Sequence, residues 1–232
     1  MSRTRGGSLV MSAGSARLSP LGAPPARSLL RSPKGLATAL TVLLGLCGAT
    51  RLLSAAAGVN RYRTLDSYGL ATGLGHPGTL VTISASLVMM AMVPTAVVFI
   101  VWFHRVRVNA GVYARGAIRG GAGWAIGVWF IPVVGWTVLP CLIAMKVWSV
   151  SASRLPGKAA LTSPAPVFTW AGTFGAALLA SGGANWFAGR AASDDAVGDA
   201  ILLAAGSDLV YAVAAVSAVF FVRRLSALQS AG

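Results

Sequence analysis

The sequence predicts an all-α integral membrane protein: four transmembrane helices plus a proline-broken re-entrant or interfacial segment. Three observations carry that expectation. Of 232 residues, 56% are hydrophobic and only 10% are charged, where a soluble domain carries roughly 25% charged residues to solvate its surface. The apolar residues gather in runs of more than 20, long enough for a hydrocarbon core of about 30 Å. The Lys and Arg residues close those runs repeatedly on one side. A net charge of +14 would suggest nucleic acid in a soluble chain, but no basic helix here interleaves aromatics for base stacking. The charge is therefore read as topological, with no nucleic-acid partner.

Residues 1–35 are rich in Arg, Ser, Gly and Pro and bury too little apolar surface to fold alone. They read as a disordered basic cytoplasmic tail, or as translation begun upstream of the true start. A sharper reading is a polybasic tether to anionic lipid, each charge contributing about 1 kcal/mol near the surface. Residues 36–57 form the first span. Ser54-Ala55-Ala56-Ala57 offers a signal-peptidase-like site, but the long lead and Arg51 within the run argue against cleavage. Arg51 sits roughly 22 Å along the helix from Leu36, where its stem can snorkel toward headgroups. Cys47 follows Leu46, too large for a lipoprotein site. Cys47 and Cys141 both fall in apolar runs, unlike the loop-borne cysteines of a disulfide framework.

A polar loop is expected from 58 to 78; its Gly73, Gly75 and Gly78 lack the strand–turn–helix context of a phosphate loop. Residues 79–103 are the second span, with Pro94 a candidate kink. Trp102-Phe103-His104-Arg105 then places aromatics and charges at an interface. Arg105, Arg107, Arg115 and Arg119 follow in a short amphipathic stretch. Residues 123–149 are apolar enough to span, yet Pro132, Gly135 and Pro140 interrupt them. Each proline removes a backbone donor, tolerated at membrane depth only where protein or a water-filled cavity covers the backbone.

Charge decides whether that segment crosses. If it returns to its side of origin, fifteen of the 19 Lys and Arg residues lie inside and four outside; if it crosses, eleven and eight. The positive-inside rule favours return, with both termini cytoplasmic in the plasma membrane. Residues 166–188 and 198–222 are the third and fourth spans, and 226–232 a short C-terminal tail. Gly172, Ala176, Ala180 and Ala184 on one span, and Ala200, Ala204, Asp208 and Ala212 on the next, form small-residue stripes suited to close helix packing. Facing each other across a short loop, the two stripes suggest that these spans pack as a hairpin. A second copy or other membrane proteins are the partners expected for the 36–225 membrane domain.

Trp102, Arg105, Arg107, Asn109 and Ala110 spell W-x-x-R-x-R-x-N-A. Gly123-Trp124, Trp129-Phe130-Ile131-Pro132, Pro140 and Trp148 follow. This pattern resembles domain-of-unknown-function family 4328, multi-span membrane proteins found mainly in actinobacteria. The resemblance covers roughly 36–225, its specific part 98–150. Gly135 stands where relatives usually have Asn, Cys141 where they have an aromatic, and Met145-Lys146 where they have a polar pair, so the chain reads as a divergent member. The family has no established activity, so the resemblance implies an architecture and neither chemistry nor cofactor.

Asp208 is the acid deep in a span, where a charge costs several kcal/mol unless paired or hydrated. Arg51, Ser181 and Asn185 are candidate partners, and Arg51 is preferred because opposite charge stabilises both. A structural pair, a protonated Asp setting helix register, a proton or ion relay and a partner-helix contact all suit it. Asn109 is expected to cap or bond the start of the broken segment, and the Trp series to anchor at headgroup level. Two histidines and five acids furnish no catalytic or metal-ligating constellation. The expected role is a non-enzymatic scaffold, anchor or modulator of envelope components. The alternative is a small oligomeric transporter or channel built on Asp208 and the 123–149 segment.

Overall fold

A computed structural model describes residues 32–68, 78–114, 120–131, 135–154 and 163–230, the side chains of 66–68 excepted. The basic tail before residue 32, Pro132, Arg115, Arg119, Gly73 and Gly75 therefore lie outside the described residues. What is described is helical, with no strand among the described residues. Six helices follow in order: α1 (Lys34–Tyr68), α2 (Thr79–Tyr113), the single turn α3 (Trp124–Gly127), α4 (Val138–Ala152), α5 (Ala165–Ala188) and α6 (Asp194–Ser230). A 3-10 turn, Val128–Phe130, follows α3 directly. Helices α1, α2, α5 and α6 are each long and apolar enough to cross a membrane. Helices suit this composition because all their backbone bonds close within the segment, which lipid requires.

The long helices exceed their expected spans. Residues 58–68, expected as loop, continue α1. Packing explains this, since Leu65 is buried and a Cβ built on Gly198 of α6 would lie 3.1 Å from the Tyr62 ring. Helix α2 runs unbroken through Pro94 to Tyr113, ten residues past the expected exit. Helix α6 absorbs most of the expected 226–232 tail, with Ser226 and Gln229 buried. At 1.5 Å per residue α1, α2 and α6 are each more than about 50 Å long, so they tilt or project beyond a 30 Å core.

The four long helices alternate in direction, and cross-helix bonds fix their ends. Trp102 of α2 bonds Ser226 of α6, and Arg105 bonds the Ser32 carbonyl ahead of α1. The start of α1 and the ends of α2 and α6 thus share one end of the bundle, here called the basic end. Midway along, Cys47 of α1 meets Thr95 of α2 at 3.2 Å, and Thr173 of α5 meets Ser217 of α6 at 2.6 Å. Both cysteines are free thiols.

The broken segment dips and returns. Trp129 packs edge-on against Phe99, centroids 5.5 Å apart, and Phe99 lies about 21 Å back from the end of α2. A Cβ built on Gly175, about 15 Å into α5, would stand 3.9 Å from the methyl of Thr137, just ahead of α4. Ser151, at the other end of α4, bonds Gln229 at the basic end. The 15 residues of α4 span about 22 Å, short of a 30 Å core. Pro140 does not break this helix. It occupies the first turn, where its missing amide has no carbonyl to reach.

The tip depends on Gly135. Its amide donates to the Ile131 carbonyl at 3.1 Å, and Ile131 in turn donates to Val128 at 3.2 Å. A Cβ on Gly135 would overlap the carbonyl oxygens of Val128 and Ile131. The Trp136 indole donates to the Trp129 carbonyl at 2.9 Å, tying off the turn.

The small-residue stripes are buried in part. On α5, Gly172 and Ala176 are exposed, while Ala184 is buried together with Val167, Trp170 and Ala177. On α6, Ala200, Asp208 and Ala212 are buried and Ala204 is exposed. Trp170 stacks on Phe221 of α6, centroids 4.7 Å apart. The close glycine seam lies between α1 and α6. A Cβ on Gly48 would stand 3.6 Å from the Ala215 Cβ, and one on Gly58 3.3 Å from the Ala205 Cβ.

Candidate functional site

The α1–α6 seam places the charged pair. With Gly48 set against Ala215 and Gly58 against Ala205, the backbones approach closely enough for Arg51, between the two glycines, to reach across. Its Nη1 donates to Asp208 Oδ1 at 2.7 Å. The side chains are 20% and 12% exposed, so the ions are largely withdrawn from the bundle surface. The guanidinium lies over the Tyr211 ring, 4.1 Å from its centroid, one helical turn beyond Asp208. Its Nη2 approaches the Met92 sulfur of α2 at 3.7 Å. One cation on α1 thus reaches both α2 and α6, and its charge is met by a carboxylate and an aromatic face. Ser181 is half-buried and Asn185 exposed on α5; neither bonds Asp208 among the described residues.

The W-x-x-R-x-R-x-N-A run lies inside α2 at the basic end, and most of it faces inward. Trp102 and Phe103 are fully buried, packed against Phe99, with Phe221 edge-on to Trp102 and Trp129 edge-on to Phe103. Trp102 Nε1 donates to Ser226 Oγ at 3.0 Å. Arg107, expected on an amphipathic surface, is 6% exposed and donates to the Gly120 carbonyl at 2.9 Å. That bond holds the start of the re-entrant segment against α2. Arg105 stays near the surface, on Ser32.

Asn109 is not at a helix start. It lies within α2, 2% exposed, and its Nδ2 donates to Gln229 Oε1 at 3.2 Å. Gln229 Nε2 donates to the Val106 carbonyl at 2.9 Å and to Ser151 Oγ at 3.2 Å. Tyr113 donates to the Gln229 carbonyl at 3.3 Å. One buried amide therefore joins α2, α4 and α6, and buried polar groups are stable only when bonded in this way.

The later motif residues build the re-entrant segment. The Gly123 carbonyl accepts the amides of Ile126 and Gly127, closing the turn of α3. Trp124 is exposed, with its indole edge toward Gly120, a residue at φ 89°. Phe130 is 77% exposed, while Pro140 and Trp148 are buried on the inward face of α4. Trp129 Nε1 is buried and meets no acceptor among the described residues. Trp124, Trp136 and Trp186 are exposed and Trp102, Trp148 and Trp170 buried, so the Trp series divides between surface and core.

Residues 76–227 match the family described as Domain of unknown function (DUF4328). The chain belongs to that family. No curated protein and no solved structure matches it. The DUF4328 match begins just before α2 and ends just before Gln229. Asp208 therefore lies within the DUF4328 region and Arg51 ahead of it, so the ion pair ties α1 to the family domain. No group of three or more His, Cys, Asp or Glu comes together among the described residues of this DUF4328 chain.

Sequence reasoning missed Gln229, Ser226 and the α1–α6 seam. The first two were hidden by taking Arg223-Arg224 as the end of a span. The spacing Val222, Leu225, Ser226, Gln229 continues an inward helical face and was the available signal. The seam was carried by Gly48 and Gly58, about three turns apart on α1, matched by Ala205 and Ala215.

Proposed function

We propose that this membrane protein is a non-enzymatic scaffold, anchor or modulator of other envelope components. It sits in the plasma membrane with both termini on the cytoplasmic side. The observation that carries the reading is the closure of its intramembrane charge: Arg51 meets Asp208 at 2.7 Å and is flanked by Tyr211 and Met92. A cation and carboxylate so engaged cross-brace helices and leave neither charge poised for a substrate. The orientation is supported by the gathering of Lys and Arg at one end of the bundle. Exposed apolar faces, such as Met90 at 73% and Val97 at 58% on α2, are available to lipid, to a second copy or to another membrane protein.

A second reading, a small oligomeric transporter or channel, draws on the same pair, because an acid at this depth combined with a re-entrant backbone is how such sites are built. Proton flux into proteoliposomes separates the two. The scaffold reading expects wild-type vesicles to leak no faster than protein-free ones. A wild-type flux abolished by Asp208→Asn in correctly folded protein would replace it with the transporter.

A further inference from the structure

At the basic end, α1 and α6 part to leave a groove of about 740 Å³. Lys34, in the first turn of α1, and Arg223, late in α6, line it and are exposed. Neither faces an acid. The five acidic residues are Asp66, Asp194, Asp195, Asp199 and Asp208. The first four lie on the ends of α1 and α6 remote from this groove, and Asp208 is paired with Arg51. The cations around the groove therefore lack acidic side chains to neutralise them.

The groove also holds a polar hydrogen without an acceptor. Thr38, Thr41 and Ser230 line it but donate to carbonyls of their own helices. Ser226 lines it too, only 5% exposed. Its oxygen accepts the Trp102 indole, while its own proton meets no acceptor among the described residues. Below the polar rim the wall turns apolar at Val42, which is 67% exposed, and Leu46, at 51%, continues that outer face one turn deeper.

We propose that this groove seats the phosphate of an anionic phospholipid between Lys34 and Arg223, with Ser226 donating to it. One acyl chain lies along Val42 and Leu46. A lipid, unlike a free anion, satisfies both the cationic rim and the apolar wall beneath it. The site is separate from any attraction of the N-terminal arginines to a charged surface.

Native mass spectrometry of the full chain, titrated in lipid-poor detergent with phosphatidylglycerol or phosphatidylcholine, tests this. Phosphatidylglycerol should be retained at least about tenfold better. Lys34→Gln and Arg223→Gln should each lower that preference by about fivefold, as expected for one cation near a headgroup. Arg224→Gln, an exposed neighbour that does not line the groove, and the pair Arg27→Gln/Arg31→Gln in the tail should leave it intact. Equal retention of the two lipids, or equal losses from Arg223→Gln and Arg224→Gln, would overturn the proposal. Displacement of the lipid by millimolar inorganic phosphate would overturn it in favour of a free-anion site. These outcomes are independent of the flux measurement.

Discussion

Arg51 and Asp208, 157 residues apart, meet at 2.7 Å between α1 and α6. The contact exists because glycines on either side of Arg51 let the two helices close, and it extends to α2 through Met92. Removing one member leaves the other charged, withdrawn and without its partner, which costs more than the intact pair contributes. Asp208→Ala is expected to destabilise the bundle by about 3 kcal/mol. Arg51→Met combined with Asp208→Leu should recover most of that loss. Thermal unfolding of the wild type and these two variants in nanodiscs provides the measurement, and a double variant less stable than Asp208→Ala would contradict a bracing role.

Gly135 has no room for a side chain. Gly135→Ala must open the turn held by Val128 and Ile131, at a cost of about 1–3 kcal/mol, the range for overpacking. Gly172→Ala, where nothing stands within 4 Å of the new methyl, should be neutral or slightly stabilising. The readouts are thermal unfolding and a change in tryptophan emission, since Trp129 and Trp136 are bonded across the tip.

The Asn109–Gln229 bond makes a pairwise prediction. Gln229→Leu removes the acceptor for Asn109 Nδ2 and the donor to Val106 and Ser151. A loss of about 1–3 kcal/mol is expected for buried groups so deprived. Combined with Asn109→Leu, the loss should fall short of the sum by about 1 kcal/mol, the coupling of residues in one network. Strict additivity in a double-mutant cycle would show the two amides to be energetically independent.

Topology gives a prediction that needs no stability assay. With Cys47→Ser and Cys141→Ser, a single Gly157→Cys in the connection between α4 and α5 should resist a membrane-impermeant thiol reagent in intact cells and react after lysis. Labelling before lysis would place that connection outside and reverse the orientation proposed from charge.

Much of the architecture was legible in the chain because lipid simplifies the code. Uninterrupted apolar runs have one backbone solution at membrane depth. Hence four long helices stand where the runs stand, while Pro132, Gly135 and Pro140 left 123–149 open between a kinked span and a returning segment, a choice made on charge. Helix ends were read less well. Apolarity marks where a helix enters lipid and says nothing of how far packing carries it beyond, as Tyr62 against Gly198 and Gln229 against Asn109 illustrate. The stripes were legible in part: in an alanine-rich helix several faces look alike, and Ala184, Ala200 and Ala212 turn inward while Gly172, Ala176 and Ala204 turn outward.

The sequence by itself determined that this protein has four helices long and apolar enough to cross a membrane, that it belongs to the DUF4328 family, and that an acid and an arginine lie within those apolar runs. Hydropathy, spacing and motif are local properties, and each is complete within a few turns of one segment. Only the tertiary structure decided which faces meet. It chose Gly48 and Gly58 for the α6 seam, folded Trp102 and Arg107 inward, and made Gln229 the joint of three helices. Those outcomes depend on competition among faces of nearly equal polarity, which side-chain volume and cross-helix hydrogen bonds settle once the helices are side by side.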